Sequence, residues 1–142
     1  MLNGNMQFPK LKYTDLTTKQ QEIFNFQKAA AILADYGFKV IKLSDDWNGA
    51  DFIAQHFNTD SFLKVQLKGR WTLDKKYCGK DIWICFRDED AIYLYPHDEV
   101  MDRVLKEAKF MKGSESWEVR GGYNRGSLSK ELKDLMEKYR LE

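Results

Sequence analysis

Residues 17–38, TTKQQEIFNFQKAAAILADYGF, constrain the fold most, because one run carries a helix start, an apolar stripe and a stop. Thr17 with Gln20, or Thr18 with Gln21, forms a capping box that satisfies otherwise free amides of the first turn, and Gly37 supplies the left-handed residue that ends a helix. Phe26, Ala29 and Leu33 fall on one line. At about 100° per residue, Glu22 lies within about 40° of each of them. Its carboxylate either points at the edge of the core or complements the positive end of the helix dipole.

Beyond Gly37 the period shortens to that of strands. FKVIKL (38–43) reads as a strand, SDDWNG (44–49) as a polar loop, and residues 49–70 as a hairpin of two short strands around a polar turn. DIWICF (81–86) and AIYLYP (91–96) give two more strands around the acidic turn RDED, followed by a helix from about 97 to 109. After a loop rich in Gly and aromatic residues, SLSKELKDLMEKYRL (127–141) places Leu128, Leu132, Leu135 and Tyr139 at helical spacing. This order predicts an α/β (α+β) chain with a mixed central sheet flanked by helices. With 142 residues, 43% of them hydrophobic, it has the material for one domain, 1–142, without disulfides or a structural metal. Cys78 and Cys85 have no CxxC or His pair beside them, so reduced thiols are expected. No stretch reaches the roughly 20 apolar residues of a membrane span, and MLNGNMQFPK lacks the apolar block of a secretory signal, which predicts a cytoplasmic protein with no membrane partner.

Within the hairpin, Asp51, Gln66 and Lys68 stand where a purely structural sheet has no use for a carboxylate, an amide and an ammonium. With Asn58–Ser61 as the turn and Phe57 paired with Phe62, Asp51 falls opposite Lys68 and Ile53 opposite Gln66. The three polar groups then share one face, and Leu63, Val65 and Leu67 take the other. Charge is segregated nearby. Residues 61–80 carry six bases (Lys64, Lys68, Arg70, Lys75, Lys76, Lys80) against the single acid Asp74, while residues 81–107 carry eight acids against three bases. The first run suits a polyanion; both also suit ordinary solvated faces.

A helix bearing Glu22, then GAD closing on Asp51, then VQLKGR carrying Gln66 and Lys68, resembles the PD-(D/E)XK nuclease superfamily, which includes restriction enzymes, homing endonucleases and Holliday-junction resolvases. The resemblance covers roughly residues 18–95. It implies a restriction-endonuclease-like fold and a metal-dependent endonuclease that hydrolyses DNA with a metal-activated water, leaving 5′-phosphate and 3′-hydroxyl ends. By motif, Asp51, Gln66, Lys68 and Glu22 are the catalytic set, and Asp51, Gln66, the Leu67 carbonyl and Glu22 the ligands of magnesium or manganese. Ala50 replaces the family's proline. Gln66 replaces its glutamate and removes one negative charge, so a catalytically inactive nucleic-acid-binding module of the same fold is the alternative. DNA is the implied partner, with RNA as a second nucleic acid and a homodimer where both strands of a duplex are cut.

Lys64, Arg70, Lys75, Lys76, Lys80, Arg120 and Arg125 are the expected contacts to nucleic acid. Trp71, Tyr77, Trp117 and Tyr123 either stack on bases beside them or belong to the core. RGGYNRGS (120–127) lacks the strand, lysine and spacing of a P-loop and reads as a flexible connection. His56 and His97 are isolated and suit surface or capping roles, and Asp45 with Asp46 suits a solvated turn or a second acidic pair near a metal. A protein-interaction subunit meeting its partner through residues 81–107 is a third reading.

Overall fold

The structure is a computed structural model that describes residues 7–142; the first six residues of the expected 1–142 domain lie outside the described residues. Helix α1 (Thr18–Asp35) begins at the capping box of Thr17 and Gln20, with both of its hydrogen bonds formed. It leads into β1 (Phe38–Trp47), β2 (Ala50–His56), β3 (Phe62–Lys68), β4 (Trp71–Asp74), β5 (Ile82–Asp88) and β6 (Ala91–Pro96). The rest comprises α2 (His97–Glu107), the short α3 (Glu115–Glu118), β7 (Gly122–Arg125), α4 (Lys130–Met136) and β8 (Arg140–Leu141).

The expected mixed sheet flanked by helices is present. Six strands pair in the order β1-β2-β3-β5-β6-β8, and β4 with β7 forms a separate two-stranded ribbon. Only β3 and β5 run parallel; every other neighbouring pair is antiparallel. One face of the sheet packs Phe52, Ala54, Val65, Cys85, Ile92 and Leu94 against Ala29 and Leu33 of α1. The opposite face packs Ile84, Phe86, Tyr93 and Tyr95 against Val100 and Val104 of α2, together with Trp71, Trp117 and α4. Burying such faces is the main favourable term in the fold. No helix among the described residues is long and apolar enough to cross a membrane. Cys78 is exposed, Cys85 is buried, and both are free thiols as expected.

Four local expectations are corrected. Residues 44–47 belong to β1, because the Asn48–Gly49 pair makes a tight hairpin to β2, with φ of 52° and 89°, and Trp47 pairs with Ala50. An Asn-Gly pair at positive φ matches the twist of flanking strands. The 49–70 hairpin also has a different register: Phe52 pairs with Val65 and Ile53 with Lys64, so Asp51 does not face Lys68, nor Ile53 Gln66. Its turn begins one residue earlier, since the His56 amide donates to Ser61 O at 3.0 Å while the Phe57 amide is drawn off to Gly37 O at 2.7 Å. Third, the last helix stops at Met136, and the chain turns into β8 against β6. Finally, residues 122–125 of the supposed flexible connection are β7, paired residue for residue with β4.

Candidate active site

The register shift is of two residues, and an even shift keeps every side chain on its face. Asp51, Gln66 and Lys68 therefore still meet, for a more specific reason than a flat hairpin offers. Pairing of β2 with β3 ends at Phe52 and Val65, whereas β3 stays paired with β5 as far as Lys68 and Phe86. The two strands fork there, and the Leu67 amide loses its ladder partner. Asp51 supplies the replacement: its Oδ2 accepts the Leu67 N–H at 2.8 Å. A backbone donor that would otherwise go unpaired fixes the carboxylate at the mouth of the fork.

That fork opens into a cleft of about 550 Å³ lined by Glu22, Asn25, Lys42, Ser44, Asp51, Gln66, Leu67 and Lys68. All four residues expected to be catalytic share it. Their surroundings differ. Asp51 is partly buried, and burial pushes its carboxyl above the usual range. The Leu67 hydrogen bond opposes that rise; Asp46 adds to it, and Lys68 and Lys42 counter it. Glu22 stands at the rim, its side chain 63% exposed and 3.8 Å from Lys19. It lies beyond the first turn of α1, which contains no acid, so complementing the helix dipole is not its role. Lys68 spreads its ammonium over the Tyr77 ring, 5.4 Å from the centroid, and Lys42 lies 4.8 Å from that of Phe26.

Sequence reasoning missed the other wall. Asn25 is only 6% exposed on α1. It donates to the Tyr13 hydroxyl at 2.9 Å and accepts from Arg87 Nε at 2.8 Å. An asparagine in a helix that buries Ala29 and Leu33 was the available signal, since a buried amide needs partners. Lys42 carries no signal of its own within the expected strand 38–43, and Asp46 sits in strand, near enough to Asp51 to act on it, and not in a solvated turn.

The expected nucleic-acid contacts divide into two groups. Lys64 bonds to Lys80 O at 2.7 Å and lies against Trp47. Arg70, Lys75, Arg120 and Arg125 surround the β4–β7 ribbon: the Arg70 guanidinium abuts Gly126, Lys75 lies over Trp117, and Arg125 over Phe110. Arg120 pairs loosely with Glu115 at 3.6 Å, and Lys76 covers Tyr77. Trp71, Tyr77 and Trp117 are buried and Tyr123 is half-buried against Trp71 and Phe110, so the core reading of these aromatics holds.

His97 is fully buried, which corrects its expected surface or capping place. Its Nε2 accepts the Asp74 amide at 3.0 Å, which assigns the ring proton to Nδ1, 2.9 Å from Asp98 Oδ1. With both nitrogens engaged, the neighbouring Cys78, His97 and Asp98 form a structural cluster. Although partial burial favours the protonated acid at Asp98, hydrogen bonds from His97 and the Gly79 amide outweigh it and hold the carboxyl below its usual range. His56 is half-buried, accepting the Asn58 amide at Nδ1 and meeting Phe38 edge-on.

No protein-family model matches the sequence, and no curated protein matches it either. Among solved structures the chain is similar to a bacterial homing endonuclease, I-Ssp6803I, at 18% sequence identity and a TM-score of 0.51, with 87% of this chain and 86% of that one covered. At that identity the likeness is one of fold.

Proposed function

We propose that this chain is a metal-dependent deoxyribonuclease of the PD-(D/E)XK type, built as one domain, with its site at the fork between β2 and β3. The observation that carries the reading is the carboxylate of Asp51 pinned to the Leu67 amide in the same cleft as Gln66, Lys68 and Glu22. The fold shared with a homing endonuclease supports it.

The donor chemistry fits magnesium or manganese, which take oxygen ligands and need only one or two carboxylates when phosphate and water complete the shell. Asp51 keeps one carboxylate oxygen clear of the Leu67 bond. Gln66 offers an amide oxygen. In a strand, a residue's N–H and C=O point to the same edge, so the Leu67 carbonyl faces the side from which Asp51 holds its amide. Glu22 reaches from the rim, directly or through water. A cation held there supplies activation of water and neutralisation of charge on the phosphate. The remaining work falls to the chain itself. Lys68 places a positive charge beside Asp51 where the phosphoryl oxygens gain charge, and Lys42 adds a second. Asn25 and Tyr13, locked to Arg87, hold the first turns of α1 and so the position of Glu22.

Gln66 separates an enzyme from a binding module, since neutral Gln weakens the metal site without closing it. Gln66→Glu is expected to tighten magnesium binding by about tenfold or more, because a unit charge a few ångströms from a cation is worth over about 1.4 kcal/mol even at an effective dielectric near 20. Asp51→Asn is expected to abolish binding. A magnesium titration of the thermal midpoint reads both. A midpoint that ignores magnesium and manganese in the wild-type protein and in Gln66→Glu alike would replace the nuclease with the binding module.

A further inference from the structure

We infer that the β4–β7 ribbon is the chain's duplex-DNA-binding element, gripping the phosphate backbone through Arg70, Lys75, Lys76 and Arg125; the inference rests on the nuclease reading and adds the substrate form to it. Four observations support it.

The first is charge. Among the described residues, none of these four cations forms an ion pair, although Lys19, Arg103, Arg120, Lys130, Lys138 and Arg140 all do. Against them the ribbon carries one acid, Asp74, so a net excess of three positive charges lies along one short element, as a polyanion's partner requires. The second is position. Arg70 follows Lys68 by two residues, so its Cα lies at most about 7 Å from that of Lys68. A backbone held at Arg70 therefore passes the cleft.

The third is the orientation of the aromatic residues. Binding of single strands depends on aromatic platforms on which unpaired bases stack. Here the aromatics turn inward: Trp71 is fully buried, Trp117 nearly so, and Tyr123 packs on Phe110 at 5.3 Å between ring centroids. The ribbon offers cations without a stacking surface, which suits bases that stay stacked in a duplex. The fourth is shape. A two-stranded antiparallel ribbon is an element that the major groove of B-DNA admits. Trp71 and Leu73 point into the core, so the alternate residues Thr72 and Asp74 and the cross-strand partner Asn124 point outward, with Asn124 exposed, while Arg125, opposite Trp71, lies half-buried over Phe110 at the edge of the core-facing side.

The test uses the full chain in EDTA, so that binding is read without cleavage, with a labelled mixed-sequence duplex and the matching single strand as probes and anisotropy across a salt series. Wild type is expected to prefer the duplex. The double variant Arg70→Gln/Lys75→Gln is expected to lose about two units of slope in log K against log salt and about tenfold in affinity. The same charge loss at Lys28→Gln/Lys39→Gln, on the far side of α1 and on β1, is expected to leave the slope unchanged. Circular dichroism melts confirm that both variants are folded. If wild type binds the duplex and the ribbon variant binds it equally well, the ribbon assignment falls while the nuclease reading stands. Tighter binding of the single strand overturns the duplex assignment. No salt-dependent binding of either probe overturns both.

Discussion

Asp51→Asn is expected to lower cleavage by at least about 10²–10³-fold, the scale of removing one preorganised electrostatic group, and to make the metal-free protein more stable at neutral pH. The two effects share one cause. Burial raises the Asp51 carboxyl above its ordinary range, and the Leu67 hydrogen bond with Lys68 and Lys42 does not fully offset it. Because the folded value exceeds the unfolded one, the fold favours the neutral acid. That stability is fully present below the unfolded pKa of about 3.9 and is lost as pH rises through the folded value. At neutral pH an ionised Asp51 is therefore a cost, one that a bound cation relieves. Asparagine keeps an oxygen for the Leu67 amide and carries no charge. Thermal melts from acid to neutral pH should show Asp51→Asn and wild type converging near pH 3, with the variant more stable at neutral pH; saturating magnesium should reverse the order there, since a ligand at about 100 times its Kd adds about 2.7 kcal/mol to the protein that binds it. A variant less stable than wild type at neutral pH without metal would show that Asp51 is structural.

Tyr95→Phe should cost about 2–4 kcal/mol although it removes one oxygen atom, because it strands two backbone groups. β4 pairs with β7 on one edge. The hydroxyl of the fully buried Tyr95 accepts the Thr72 amide at 3.1 Å and donates to Thr72 O at 2.9 Å, and His97 Nε2 accepts the Asp74 amide at 3.0 Å. Tyr95 and His97 are two apart, as are Thr72 and Asp74, so the period of extended chain brings both pairs into register. In urea, the midpoint should fall with the slope unchanged. DNA affinity should fall as well, since these bonds fix the ribbon to the sheet. A loss of stability below about 0.5 kcal/mol, the range of an ordinary surface change, would mean that water or relaxation satisfies Thr72 and that the ribbon is held by packing alone.

These two residues also mark where reading the sequence stopped. α1, five of the six strands of the central sheet and the meeting of Asp51, Gln66 and Lys68 all follow from local signals: a capping box, alternation, and the two faces of a strand. The cluster survived a wrong register because the error was even. Tyr95 and His97 gave no such signal, since each acts on a strand more than 20 residues away in sequence. β7 escapes the local signals for a related reason: GYNR has too few apolar residues to show alternation and becomes a strand only by pairing with β4. The short β8 depends in the same way on β6. The place of Asp46 in β1 is within reach of the sequence, because Asn48–Gly49 is a hairpin signal that extends the strand up to the turn.

The most direct test of the central claim is cleavage of supercoiled plasmid by the purified chain in magnesium or manganese, beside Asp51→Asn, Lys68→Ala and an EDTA control. The account predicts nicked or linear product from wild type only, with none from either variant or in EDTA. Cutting that persists in Asp51→Asn would place the chemistry elsewhere, and a wild-type protein that binds the plasmid without cutting it under any divalent metal would contradict the assignment of the β2–β3 fork as a phosphodiesterase site.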